Sequence, residues 1–214
     1  MLEGLKQTVI DFIFPIFCAL CGKEGEWFCR ACLEKNKIAA FEFSDPKAEG
    51  IFKSLAAFFD YKKEPLFADL LKQFKYHYSG GIVLVWQNLI ELFKLNLPQS
   101  ATVIPVPLHA SRIRWRGFNQ AATLASLLGK KYGLTADYTC LVRRRATKQQ
   151  AKLNWQERQT NVKNSFGWVP TEPAPSVVIL VDDVYTTGAT LMECAKVLKS
   201  RGTKSVWGVV LARD

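Results

Sequence analysis

The sequence predicts an α/β fold: a mostly parallel sheet flanked by helices, preceded by a small N-terminal metal-binding module. Three observations carry that prediction. Four cysteines fall in the pattern Cys18-x2-Cys21-x7-Cys29-x2-Cys32. Ser176 to Val181 (SVVILV) is a continuous apolar run, the mark of a parallel strand buried on both faces. After Pro98, strand-like and helix-like stretches alternate, which builds a parallel sheet through crossovers. The length of 214 residues suits one ordinary domain plus a small module. With 49% apolar and 12% aromatic residues, the chain can bury a real core and is not disordered.

The elements follow in order. Leu2, Leu5, Val9, Phe12 and Ile13 have helical spacing, and Pro15 ends that helix. The apolar stretch Val9 to Leu20 is broken by Asp11 and Pro15 and lacks a basic flank and a small-residue cleavage site. It is therefore read as neither a transmembrane helix nor a signal peptide; no membrane insertion is expected, and the cytoplasm is the expected compartment. The cysteine module runs from about Phe17 to Lys37. Each C-x2-C turn aims two thiolates at one point, and two such turns complete a closed tetrahedral site suited to structural Zn2+. Two disulfides are the alternative, disfavoured in a chain without an export signal. Ser44 to Gly50 reads as a linker, dividing an N-terminal module (1–43) from a larger domain (51–214).

Within that domain, Ile51 to Tyr61 is strand-like. Phe67, Leu70, Leu71 and Phe74 mark a helix, and Ile82, Val85, Trp86, Leu89, Ile90 and Phe93 mark another, completing an N-terminal part (51–97). Ala101 to Val106 is a short buried strand that opens the core part (101–214). Phe118, Ala121, Ala125 and Leu128 form the inward face of a helix stopped by Gly133. Residues 143–168 are polar and basic, without periodicity, and read as a long mobile loop of the functional kind. After the 176–181 strand, Leu191, Cys194, Ala195 and Leu198 give a helix, with Cys194 a small core residue, and Ser205 to Leu211 a final strand.

The most specific motif is Val177-Val-Ile-Leu-Val181-Asp182-Asp183-Val184-Tyr185-Thr186-Thr187-Gly188-Ala189-Thr190. A buried strand delivers two carboxylates at its carboxyl end, where open α/β sheets place ligands. A hydroxyl-rich loop then leads into a helix, whose first amides favour a phosphate. Thr186, Thr187 and Thr190 add donors, Gly188 lets the backbone approach closely, and the Ala189 amide opens the helix. Paired carboxylates suit a vicinal diol; diol and phosphate together describe a ribose 5-phosphate. The alternative is a Mg2+ site of some other α/β enzyme, which leaves the Thr-Thr-Gly-x-Thr loop unexplained. There is no H-x-E before a P-C-x2-C, no G-x-S-x-G and no G-x4-G-K-[ST], which argues against a zinc deaminase, a hydrolase elbow and an ATPase.

This run resembles the 5-phosphoribosyl 1-pyrophosphate (PRPP) loop of type I phosphoribosyltransferases, although many of those have Glu at Asp182 and a small or aliphatic residue at Tyr185. Ile104-Pro-Val-Pro-Leu-His109, the run Arg112-x3-Arg116-Gly-Phe-Asn-Gln120, the loop carrying Arg145, Gln150, Arg158 and Asn161, the Tyr61 to Lys75 segment and the double C-x2-C are together similar to the ComF family of phosphoribosyltransferase-like proteins. The resemblance covers nearly the whole chain. It implies a type I phosphoribosyltransferase-like core with PRPP and Mg2+ at the 182–190 run. It also implies a pyrophosphate loop with Leu108, His109 and Arg112 as contacts. Residues 143–168 become a catalytic hood, with Gln150 and Arg158 acting beside Asp182 and Asp183. It links the chain to DNA uptake and natural transformation, and so to the proteins of that machinery.

The charge is concentrated. Of the net +10, residues 101–169 carry 12 Lys/Arg against 2 Asp/Glu, whereas residues 1–43 carry 5 against 6. Such a block implies a phosphate-rich partner. Trp115, Phe118, Trp155, Phe166 and Trp168 lie among these cations, the combination that stacks unpaired bases while tracking a backbone. Arg114, Trp115, Arg116, Arg145, Lys148, Lys152 and Trp155 are accordingly the candidates for binding single-stranded DNA, with Phe118 read as core. Arg143, Arg144, Lys130 and Lys131 read equally well as solvated surface charge. Two functions stay open: a ComF-type protein handling single-stranded DNA, and an active transferase moving ribose 5-phosphate from PRPP to a base or amine.

Overall fold

In a computed structural model, residues 17–18, 20–26, 28–36, 38–76, 80–146 and 161–214 are described. Among them, α1 (Arg30–Lys35) belongs to the cysteine module, and β1 (Phe41–Phe43) and a 3-10 turn (Pro46–Ala48) follow it. Next come β2 (Ser54–Asp60), α2 (Pro65–Tyr76), α3 (Gly80–Leu92), β3 (Thr102–Pro105), α4 (Ala110–Arg116) and α5 (Gln120–Tyr132). The chain ends with β4 (Leu141–Arg143), β5 (Phe166–Trp168), β6 (Val177–Tyr185), α6 (Ala189–Ser200) and β7 (Ser205–Arg213). The main sheet has the order β1-β2-β7-β6-β3. β1 is antiparallel to β2 and every other pair is parallel, with Ser54 opposite Trp207, Val177 opposite Ser205 and Thr102 opposite Val178. This is the mostly parallel sheet flanked by helices that the sequence predicts.

The unbroken apolar run of β6 serves two cores. Ile179 and Val181 join the cluster built with Phe67 of α2, Trp86 of α3 and Leu124 of α5. Val178 and Leu180 join the cluster under Leu191 and Cys194 of α6 and Phe166 and Trp168 of β5. Alternate residues feed opposite faces, so no polar position interrupts the run until the strand reaches its carboxyl end.

Several expectations change. The 44–50 segment carries a 3-10 turn: Asp45 caps it by accepting from the Lys47 amide at 2.9 Å, and Ala48 is buried while most of its neighbours stay exposed. The ends of the 143–168 stretch are ordered as an antiparallel ribbon, with Leu141 opposite Trp168. Phe166 and Trp168, expected among base-stacking aromatics, are buried in the core beneath that ribbon, and the Trp168 indole donates to the Glu172 carbonyl at 3.0 Å. Arg143 is buried at 8% exposure, not solvated. Lys131 is tied to the carbonyls of Ile90, Glu91 and Phe93, so it closes the end of α3. Phe118 packs against the core as expected.

A row of aromatic rings joins the cysteine module to the sheet. Phe28 stacks on Phe67 at 4.7 Å, Phe67 lies 5.4 Å from Phe59 of β2, and Phe59 stacks on Trp86 at 6.0 Å. Phe67 is the middle link and is fully buried. Truncating it leaves a cavity between Phe28 and Phe59, so Phe67→Ala is expected to lower unfolding stability by about 3–5 kcal/mol in urea denaturation.

Candidate functional site

The site forms because neighbouring strands end at different heights. β6 pairs with β3 only as far as Val181, opposite Pro105, but with β7 as far as Tyr185, opposite Arg213. Beyond Val181 the chain after β3 turns away through Pro107, and Asp182 and Asp183 emerge beside that turn. Both carboxylates are half-buried, and the Asp183 amide donates to Asp182 Oδ1 at 2.8 Å. Among the described residues, a shallow open cleft runs along Asp182 and the loop Thr186 to Leu191.

The loop has a tight backbone. Gly188 sits at φ 68° and ψ −5° at the head of α6, and the Met192 amide returns to its carbonyl at 2.9 Å. Thr187 is buried, with its hydroxyl 3.5 Å from the Ala189 amide, while Thr186 and Thr190 remain half-exposed. Beneath the loop lies the ring of Tyr185, 3% exposed, so close that a Cβ at Gly188 would run into its hydroxyl. Only glycine satisfies both the left-handed backbone and that close approach. The Tyr185 hydroxyl donates to Asp45 Oδ2 at 2.7 Å, and burial together with Asp45 holds its pKa well above the ordinary phenol range.

The turn after β3 follows the strand that pairs with β6 up to Val181. His109 caps α4: its Nδ1 accepts from the Ser111 amide at 3.3 Å and lies 2.8 Å from the Ser111 hydroxyl. Leu108, His109 and Arg112 are half-exposed. Asn119 holds this turn against α5, donating to the Val106 carbonyl at 3.0 Å and accepting from the Ala121 amide at 3.1 Å. Arg116 donates to the Gln120 amide oxygen at 3.2 Å and lies over the Trp115 ring at 5.9 Å. α4 buries none of its seven residues, so Arg114 and Trp115 (62% exposed) face outward. Arg145 reaches back to the Asn161 and Lys163 carbonyls at 3.1 and 2.9 Å and to the Ser165 hydroxyl at 3.3 Å. It ties together the two limbs of the 143–168 segment. Gln150, Arg158, Lys148, Lys152 and Trp155 lie outside the described residues.

Arg143 is the site residue that the sequence reading does not single out. Its guanidinium stacks on Phe166 at 5.2 Å. Burial pushes its pKa down to about 10, Arg112 pushes the same way, and Cys194 and Asp182 oppose them. The charge of this buried cation is thus felt by a second cation and by a carboxylate of the motif. No sequence signal marks it: β4 is three residues long, and only its burial in the folded strand turns Arg143 inward with Leu141.

A separate cluster lies in the N-terminal module. Ligand atoms of Cys18, Cys21, Cys29 and Cys32 lie within 4.8 Å of one another, with Cys21 Sγ 3.6 Å from Cys29 Sγ. Four sulfurs about 2.3 Å from a shared ion sit about 3.8 Å apart, so the set fits one tetrahedral metal. At Cys18, burial raises the pKa, but the Cys29, Leu20 and Cys21 amides outweigh it and bring the thiol down to about 6. Hydrogen bonds with the Cys21 and Cys29 sulfurs, burial and Cys18 hold Cys32 up to about 12. Four thiols this crowded ionise together only around a cation. Cys140 and Cys194 are buried elsewhere, and burial raises both thiols.

No helix among the described residues is long and apolar enough to cross a membrane. No protein-family model matches the chain. Among curated proteins, it is 31% identical over 211 residues to competence protein F of Haemophilus influenzae, covering 93% of this chain and 86% of that one. It is 35% identical over 128 residues to the DNA utilization protein YhgH of Salmonella typhi, covering 58% of this chain and 56% of that one, so it matches about half the length of the latter. A solved hypoxanthine phosphoribosyltransferase from Staphylococcus aureus shares 17% identity over 71% of this chain and 60% of that one. Its TM-score of 0.33 is too low to assign a fold.

Proposed function

The chain belongs to the ComF family, and from that premise we propose that it binds PRPP with Mg2+ at the head of α6 and takes part in DNA uptake by handling single-stranded DNA in the cytoplasm. One observation carries the ligand reading. β6 delivers Asp182 and Asp183 at its carboxyl end, directly before the amide-and-hydroxyl loop that opens α6, and Asp182 and that loop line one cleft. The Thr186–Thr190 loop takes the 5-phosphate, because helix N-terminal amides and hydroxyls satisfy an anion there. The two carboxylates take the ribose diol. Leu108, His109, Arg112 and Arg143 take the pyrophosphate end, whose Mg2+ travels with the ligand. Gln150 and Arg158 would act from the hood.

The DNA reading draws on the names of the relatives and on α4, where Trp115 stands exposed between Arg114 and Arg116. Lys148, Lys152, Trp155 and Arg145 extend that surface in sequence. An active transferase, passing ribose 5-phosphate to a base or amine, is the second reading. It is favoured by Arg143, a charge already desolvated beside Asp182, since preorganised charge is what stabilises a departing pyrophosphate. The cysteine cluster holds structural zinc: its four thiolates leave no coordination position open.

Calorimetric titration of PRPP with Mg2+ is expected to show one site per chain, abolished in the double variant Asp182→Asn, Asp183→Asn. Each charge-assisted bond lost is worth about 1.5–3 kcal/mol, and unchanged affinity would refute the assignment. Elemental analysis of protein purified without chelators is expected to give one zinc per chain; no zinc, or two disulfides by mass spectrometry, would reject the structural metal. For DNA, about four phosphate contacts give a slope near −3 in log K against log salt. Trp115→Ala is expected to weaken binding by about 1–3 kcal/mol, and Arg114→Ala to flatten the slope. PRPP hydrolysis or transfer without DNA binding at low salt would favour the transferase.

A further inference from the structure

The hydroxyl of Tyr185 connects two parts of the chain that are 140 residues apart, and the proposed phosphate loop rests on its ring. Asp45, which caps the 3-10 turn two residues beyond β1, holds the Tyr185 hydroxyl with one carboxylate oxygen and the Lys47 amide with the other. Phe43 packs edge-on against the same ring at 5.0 Å, and Arg213 covers Phe43 at 4.9 Å. The Asp214 amide donates to the Tyr185 carbonyl at 2.9 Å, fixing the backbone from the other side. Directly above, Gly188 has room for no Cβ, so ring and loop cannot shift independently.

We infer that Asp45 and Tyr185 are positioning residues for the Thr186–Thr190 loop: their hydrogen bond fixes the ring under Gly188 and so fixes the loop amides in their anion-binding arrangement. As a statement about ligand affinity this rests on the phosphate reading above; as a statement about loop order it does not. The physical reason is preorganisation. Amides already aimed at the anion cost nothing to align on binding, whereas a loop free to sample other shapes must be ordered each time. Burial and Asp45 keep the proton on Tyr185, so the bond remains a hydroxyl donating to a carboxylate. The neighbouring pyrophosphate wall, built from the β3 turn and β4, shares none of these contacts.

Tyr185→Phe removes the bond and keeps the ring, and Asp45→Asn keeps an acceptor without the charge. Amide hydrogen exchange on the full chain is the first readout: exchange at residues 186–190 is expected to rise about tenfold in Tyr185→Phe, less in Asp45→Asn, with the centre of β6 unchanged. Calorimetry is the second: affinity for ribose 5-phosphate is expected to fall about tenfold, and affinity for inorganic pyrophosphate to stay as in the parent. A role confined to general stability would lower the unfolding midpoint and move both ligands, or neither. Unaltered exchange across 186–190 in both variants would overturn the inference. If the parent binds no ribose 5-phosphate, the phosphate reading fails while the exchange measurement still decides the positioning claim.

Discussion

Everything at the site depends on β6 being buried on both faces while its carboxyl end stays polar. Ile179 and Val181 are held in one core, Val178 and Leu180 in the other. Each fully buried aliphatic side chain contributes about 1.5–3 kcal/mol, so the strand cannot slide or tilt without emptying both cores. Asp182 follows directly on the last of these residues. Its position is therefore set by apolar packing several residues earlier, and a carboxylate on so rigid a support needs no ordering when a partner arrives. The same strand runs on to Tyr185, so acid pair, ring and the Thr186–Thr190 loop share one backbone.

The cations around this end are arranged with less regard for stability than the apolar core. Arg143 gives up most of its hydration, receives stacking from Phe166 and attraction from Asp182, and is opposed by Arg112. A buried cation that also feels a second cation raises the free energy of the folded chain. Arg116 and Arg145, in contrast, are engaged with Gln120 and with backbone carbonyls. A basic segment read from composition as one surface thus divides into cations that shape the fold, cations facing the acid pair, and the outward face of α4.

Legibility in the sequence follows how local each signal is. The β6–loop–α6 motif was readable because strand, acids, loop and helix are contiguous, and the cysteine cluster because thiolate spacing reports a turn. β1, β4 and β5 were not, since three residues show neither period nor boundary. Phe166 and Trp168 stood among cations in sequence, yet the ribbon turns them into the core, because strand pairing and not neighbouring charge sets their direction. The Asp45–Tyr185 bond had no signal at all: an aspartate before a proline reads as a turn cap, which it also is.

The cysteine module illustrates how a small unit becomes part of a larger fold. Some twenty residues cannot bury enough surface to fold alone, so packing against the rest of the chain must carry much of the task. Phe28, Leu33 and Ile38 supply that packing, lying in the same core cluster as Trp86 and Ile179. The chain then passes from Ile38 through β1 to Asp45 without leaving the body of the protein. With near-neutral charge and a closed ligand set, the module is poorly suited to meet an anion itself. What it can do is fix where the antiparallel edge strand begins. Asp45, which holds Tyr185, lies two residues beyond that strand, so the edge strand and the head of α6 are joined through this one hydrogen bond.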